Sequence, residues 1–160
     1  MQVVSDSMFL FWQNNSPFSN WYPVKFQLQG VNFQNSETAF MWLKANHFGD
    51  KGIADQILAS QDPRAVKALG RQIKNYVEAD WNNVRFNVMY VVNKAKFEQN
   101  PDLEGLLIDT GYKTIAEASP YDLVWGIGLL PKDPLAQNRT NWKGLNLLGE
   151  VLMKIRSELI

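Results

Sequence analysis

The chain contains no cysteine, so it forms no disulfide, and thiolate catalysis and cysteine-ligated metal centres are excluded. It has a single histidine, His47, too few for a histidine-built metal site, and proton transfer is therefore expected to fall to carboxylates. No run of 18 apolar residues occurs, so no membrane-spanning helix is expected. Ser5, Asp6 and Ser7 interrupt the first ten residues, which do not read as a signal peptide. Neither sign of charge dominates: 16 lysines and arginines face 16 aspartates and glutamates. Without a cationic surplus, non-specific grip on a long nucleic acid is not expected, which leaves room for a local basic pocket for a single phosphate. These absences predict a cytoplasmic, non-membrane protein whose fold rests on burial.

What is present suits burial. The 160 residues are 46% hydrophobic and 20% charged, globular proportions that predict one domain over residues 1–160. Six tryptophans, five tyrosines and nine phenylalanines supply large apolar areas, and some sit beside glycine or polar residues where a ring can stack on a ligand.

The patterning predicts a fold of the α+β class, a single mostly helical domain with a small antiparallel sheet. Met8–Trp12 reads as a strand, and Val24–Phe33 as a hairpin turning at Gly30. A helix is expected from an N-cap at Ser36 to a stop at Gly49, with Ala39, Phe40, Leu43 and His47 at helical spacing. A second runs from Lys51 to Ala59, and a third opens at Asp62-Pro63. The longest is expected from Trp81 to Gln99, capped by Asp80, with Val84, Val88, Val91 and Ala95 inward. Asn100-Pro101 ends it and opens another. Lys113–Ala118 reads as a strand, Ser119–Trp142 as irregular, and Asn146–Leu159 as a final helix.

Several residues admit both a structural and a chemical role. Glu37, in the first turn of its helix, complements the helix dipole, and beside aromatic residues it also has the makings of a general base. Trp81 either anchors its helix or stacks on a flat heterocycle. In Ser16–Pro23, Asn20 offers donor and acceptor groups and Trp21 a stacking face; the alternative is a turn whose rings plug the core. Lys44 and Arg71 are surface charges or phosphate ligands. Asp122 precedes Trp125-Gly126-Ile127-Gly128, a plain turn or a close approach to ligand. Asn146 caps the last helix or lines a site.

Taken in order, six segments resemble the NADAR family, also called YbiA-like proteins. They are FSNWYP at 18–23, GVNFQNSETAF at 30–40, LGR at 69–71, DWNNVRFNVMYVVNKAKFEQNPDL at 80–103, EASPYDLVWGIG at 117–128 and GLNLLGEVLMKIR at 144–156. The resemblance implies an N-glycosidase that needs no metal or organic cofactor. It implies as substrate either a phosphoribosylamino-pyrimidine of riboflavin biosynthesis, releasing ribose 5-phosphate, or an ADP-ribosyl derivative such as ADP-ribosylated guanine. A different class, a nucleotide-binding sensor without catalysis, stands as the alternative. By motif position, Glu37, Trp81 and Asp122 are the implied catalytic residues, and Asn20, Trp125, Gly126 and Asn146 line the site. In the implied chemistry Trp81 and Trp125 sandwich the leaving heterocycle, and Lys44 or Arg71 holds the phosphate. The chain has Thr38 and Ile127 where some members carry histidine and an acidic residue, which leaves the choice between the two substrate classes open.

Overall fold

The structure, a computed structural model, describes residues 1–160. Its strands are β1 (Gln2–Val4), β2 (Met8–Phe11), β3 (Phe26–Leu28), β4 (Val31–Phe33) and β5 (Thr114–Glu117). Its helices are α1 (Ser36–His47), α2 (Lys51–Ser60), α3 (Pro63–Gly70), α4 (Glu78–Glu98), α5 (Pro101–Asp109) and α6 (Leu147–Leu159). This is the expected α+β, mostly helical class. No helix is long and apolar enough to cross a membrane. The chain gathers into two compact units, Pro23–Asn100 and Met1–Tyr22 with Pro101–Ile160.

In Pro23–Asn100 the hairpin β3–β4 forms as expected, antiparallel in register Phe26↔Phe33. Gln29 and Gly30 both take positive φ, 52° and 76°, the left-handed pair that matches strand twist in a two-residue turn. The N-cap of α1 is Asn35 rather than the expected Ser36. The Asn35 Oδ1 accepts from Thr38 N at 2.8 Å and from Thr38 Oγ1 at 2.9 Å, and the amide reaches the third helical N–H that Ser36, already helical, does not serve. α1 then packs against α2, α3, α4 and β4. Its Ala45 joins Ile53, Ala54, Ile57, Val66 and Ile73 in an apolar cluster. Asp50 and Asp62 cap α2 and α3, accepting from Ile53 N at 3.1 Å and Ala65 N at 3.0 Å.

The long helix differs from expectation at its start and in its phase. It begins at Glu78 with Val77 as an N-cap that makes no side-chain bond, and Asp80 is inside the first turn. Glu78 and Asp80 there offset the dipole without a cap. The inward residues are Trp81, Met89, Val92, Lys96 and Phe97, whereas Val91 is 39% exposed. The valine spacing was genuine, but the bulkier Trp81, Met89 and Phe97 claim the core and turn that stripe to the flank. Lys96 is fully buried on this face, and burial pushes its ammonium pKa down to about 7. At the far end of α4, side-chain amides serve the hairpin edge. Gln99 Nε2 donates to Gln27 O at 2.8 Å while its Oε1 accepts from Gln27 N at 2.7 Å. Asn100 Nδ2 donates to Lys25 O at 3.1 Å.

In the other unit the sheet order is β1-β2-β5. β1 was not foreseen; it pairs antiparallel with β2, but β2 and β5 are parallel, with Met8↔Thr114. The expected antiparallel pairing holds for β1–β2 and β3–β4, while the parallel β2–β5 ladder makes this sheet mixed. Parallel pairing needs a long crossover, which adjacent-strand patterning does not register. Ile115 and Ala116 are both fully buried, as in strands covered on two faces. Leu148, Val151, Leu152 and Ile155 of α6 are buried, and that helix packs on β5. Two single turns of 3-10 helix, Pro134–Gln137 and Arg139–Asn141, break up the irregular stretch. Trp142 closes over the core cluster of Met8, Leu10, Ala116 and Ile127, donating its indole N–H to Ala136 O at 2.9 Å.

The phase of α4 is checked by paired truncations in urea denaturation. Val92→Ala is expected to cost about 2 kcal/mol, against roughly 0.5 kcal/mol or less for Val91→Ala; equal costs would restore the valine stripe as the inner face.

Candidate active site

Glu37, Phe40, Lys44 and His47 are spaced by three, four and three residues, so they share one face of α1. Glu37 is only 7% exposed. Its carboxylate is in the first turn, where the helix N–H groups favour negative charge. Burial lowers the pKa of the Lys44 ammonium, and the Glu37 carboxylate opposes that shift. The Lys44 Nζ lies 5.4 Å from the Trp81 ring and 4.9 Å from the Tyr76 ring, both within cation–π range. An acid, a partly desolvated amine and two aromatic faces thus converge in Pro23–Asn100.

Trp81 is held by its neighbours. It is 5% exposed, with Phe40, His47 and Phe48 ring centroids at 5.4, 6.1 and 6.2 Å. His47 Nε2 meets Asp80 Oδ1 at 3.1 Å, pinning the end of α1 to the start of α4. His47 is therefore a helix-end partner, and Asp80 serves it rather than capping α4. With Lys44 over its ring and aromatics around it, Trp81 is packed as an anchor, which leaves little face for the stacking role expected of it.

The loop after α3 completes the cluster. Asp50, besides capping α2, accepts from Lys74 N through Oδ2 at 2.8 Å. Asn75 takes φ 62°, and Tyr76 folds back to meet Phe48, centroids 5.3 Å apart at 60°. The two backbone donors hold the Asp50 carboxyl below its ordinary pKa. Arg71 stands exposed at the C-cap of α3, where this loop begins. Tyr76 was missed in the sequence because it belongs to no recognised motif; its one local signal is the turn-forming Asn75 before it.

The remaining expected residues are in the other unit. Ser16–Tyr22 is a series of turns, with Ser19 N donating to Ser16 O at 3.0 Å and Tyr22 N to Ser19 O at 3.2 Å. Phe18 plugs the core against Phe9 and Phe11, at 5.0 and 5.8 Å. Asn20 is buried and Trp21 half-buried. Asp122 Oδ1 accepts from Val124 N at 2.9 Å and Trp125 N at 2.8 Å, an Asx turn that presents the half-buried Trp125. Gly126 is required by the chain's own backbone: a Cβ there would stand 2.9 Å from Asp122 O and 3.0 Å from Glu117 O. Asn146 occupies the N-cap position of α6 at φ 53° without capping it. Its amide instead donates to Ile115 O at 3.0 Å and accepts from Glu117 N at 3.1 Å, bracing β5. Thr38 is engaged in the α1 cap and Ile127 in the apolar core.

The family model described as NADAR domain matches residues 10–160. The chain belongs to the NADAR domain family. Among relatives, an N-glycosidase of Acanthamoeba polyphaga mimivirus is 42% identical over 146 residues, covering 88% of this chain and 86% of that protein. The chloroplastic riboflavin biosynthesis protein PYRR of Zea mays is 28% identical over 170 residues, covering 96% of this chain and 25% of that longer protein. The solved structure of the Escherichia coli protein YbiA superposes with a TM-score of 0.78 at 28% identity, covering 98% of this chain and 87% of that one. Relatives of this NADAR chain include several proteins named N-glycosidases.

Two consequences of this geometry are measurable. Glu37→Gln removes the charge that supports the Lys44 ammonium, so the Lys44 pKa is expected to fall further, followed by NMR titration of 13C-lysine protein assigned through Lys44→Arg. An unchanged pKa would mean the two groups do not interact. For Asp50, a folded pKa below the unfolded value of about 3.9 means stabilisation that is complete above that pH and lost as pH falls through the folded pKa. Thermal unfolding should therefore show Asp50→Asn less stable than the natural protein at pH 7, with the gap closing in acid.

Proposed function

We propose that this NADAR chain hydrolyses the bond between ribose C1′ and the nitrogen of a phosphoribosylated heterocycle, of the phosphoribosylamino-pyrimidine kind, releasing ribose 5-phosphate. The observation that carries this is the buried Glu37 carboxylate beside the Lys44 ammonium on one face of α1. The names of its relatives, an N-glycosidase and a riboflavin biosynthesis protein, support the same bond and substrate class.

Cleaving a C1′–N bond builds positive charge on the ribose ring, and a fixed carboxylate beneath C1′ lowers the energy of that state. Water attacks C1′ as Glu37 takes its proton, and the C1′–N electron pair leaves with the nitrogen. That nitrogen must gain a proton, and an ammonium whose pKa is lowered by burial is a better donor than an ordinary lysine. Lys44 therefore suits proton delivery better than the phosphate role its position in sequence suggested. Arg71, exposed at the start of the Tyr76 loop, is the cation left for the phosphate, which a guanidinium binds in bidentate fashion. Asp122, in the other unit, shapes the turn that presents Trp125.

The test is direct. The protein is incubated with a riboflavin-pathway phosphoribosylamino-pyrimidine, with ADP-ribosylated guanosine and with NAD, and free ribose 5-phosphate or ADP-ribose is measured. Release of ribose 5-phosphate from the first is expected. Glu37→Gln should lower kcat by about a hundredfold or more while ligand still binds. Turnover unchanged by that substitution would remove Glu37 from the mechanism.

A further inference from the structure

We infer that Tyr76, rather than Trp81, is the ring on which the substrate's heterocycle stacks, and that Asp50 is its positioning residue. The inference rests on the hydrolase reading for the identity of the ligand, but its own observations concern aromatic accessibility. A stacking platform needs a flat face that a ligand can reach. Trp81 lacks one: it is 5% exposed, with Phe40, His47 and Phe48 around it. The Lys44 ammonium lies over the Tyr76 ring as well, 4.9 Å from its centroid, but Tyr76 is 44% exposed. It is thus the accessible ring next to the amine that Glu37 supports.

The loop is built to hold that ring. Its Lys74 N–H is fixed by the Asp50 carboxylate at 2.8 Å, and the left-handed Asn75 reverses the chain directly before Tyr76. The Phe48 ring then meets Tyr76 at an edge-type angle of 60°, a contact that braces a ring without covering both its faces. A heterocycle resting on Tyr76 would lie within reach of the Lys44 ammonium, where the departing nitrogen takes its proton. The chemical class recognised is a planar, unsaturated nitrogen heterocycle; a saturated ring, lacking a π face, gains little there.

The experiment compares binding and turnover. Equilibrium binding of the free base 5,6-diaminouracil and of its saturated 5,6-dihydro analogue is measured on the natural protein, Tyr76→Phe, Tyr76→Ala and Asp50→Asn, alongside kcat and KM for the phosphoribosylamino-pyrimidine. Tyr76→Ala is expected to weaken the unsaturated base by about fivefold to a hundredfold, raise KM by a similar factor and change kcat less. Tyr76→Phe should keep binding within about twofold, and Asp50→Asn should fall between the two. The saturated analogue should bind weakly to all four.

Heterocycle binding unaffected by Tyr76→Ala, or no binding by the natural protein, would overturn the inference. If no substrate is cleaved but Tyr76→Ala still loses the unsaturated base, the hydrolase reading falls while the stacking residue stands. If substrate is cleaved and Tyr76→Ala is indifferent, only this inference falls.

Discussion

A carboxylate taken out of water must be compensated, because an isolated buried charge is costly by far more than a folded domain can spare. Glu37 meets that condition in two ways. Its place in the first turn of α1 sets it at the positive end of the helix dipole, and Lys44, two turns on, supplies the opposite charge. Lys44 is itself partly desolvated, so each charge depends on the other. The rest of Pro23–Asn100 preserves this arrangement. The Asn35 cap fixes where α1 begins, Trp81 and the His47–Asp80 contact hold its far end, and α2, α3 and β4 pack on the same helix.

Elements specified by local chemistry were legible in the sequence. Gln29-Gly30 turned the hairpin where expected, Asp62-Pro63 opened α3, and Gly49 followed the end of α1. Misreadings arose where three-dimensional reach and packing decide. The α1 cap moved by one residue because asparagine and serine stood side by side and only the three-dimensional reach to Thr38 N separates them. The valine spacing predicts one phase for α4, but the bulkier Trp81, Met89 and Phe97 take the interior. The parallel β2–β5 ladder joins strands about a hundred residues apart, beyond any local pattern. Lys96, fully buried, is indistinguishable in sequence from a solvated helix lysine.

The candidate site was legible to a different degree. Motif position singled out Glu37 and Trp81 and charge singled out Lys44, three residues that share a cluster, but none of this showed how each is used. Recurring motifs mark whatever a fold cannot change, and some of that is architecture. Asn146 spends its amide on the backbone of β5, and Gly126 leaves room for neighbouring carbonyls. Asp122 tethers two N–H groups of its own turn. A short stretch such as EASPYDLVWGIG therefore combines the scaffold of a turn with the ring it displays. Tyr76 shows the converse, a candidate ligand contact in a loop outside every motif.

The Gln99 amide carries a consequence for the molecule in crowded solution. By donating to and accepting from the same backbone residue of β3, it imitates a neighbouring strand that stops after one residue. The hairpin border is thereby closed by a side chain that cannot propagate a ladder, so a passing extended peptide finds those groups already satisfied. Gln99 and its neighbour Asn100 thus occupy, at Gln27 and Lys25, the backbone groups with which a further strand would pair.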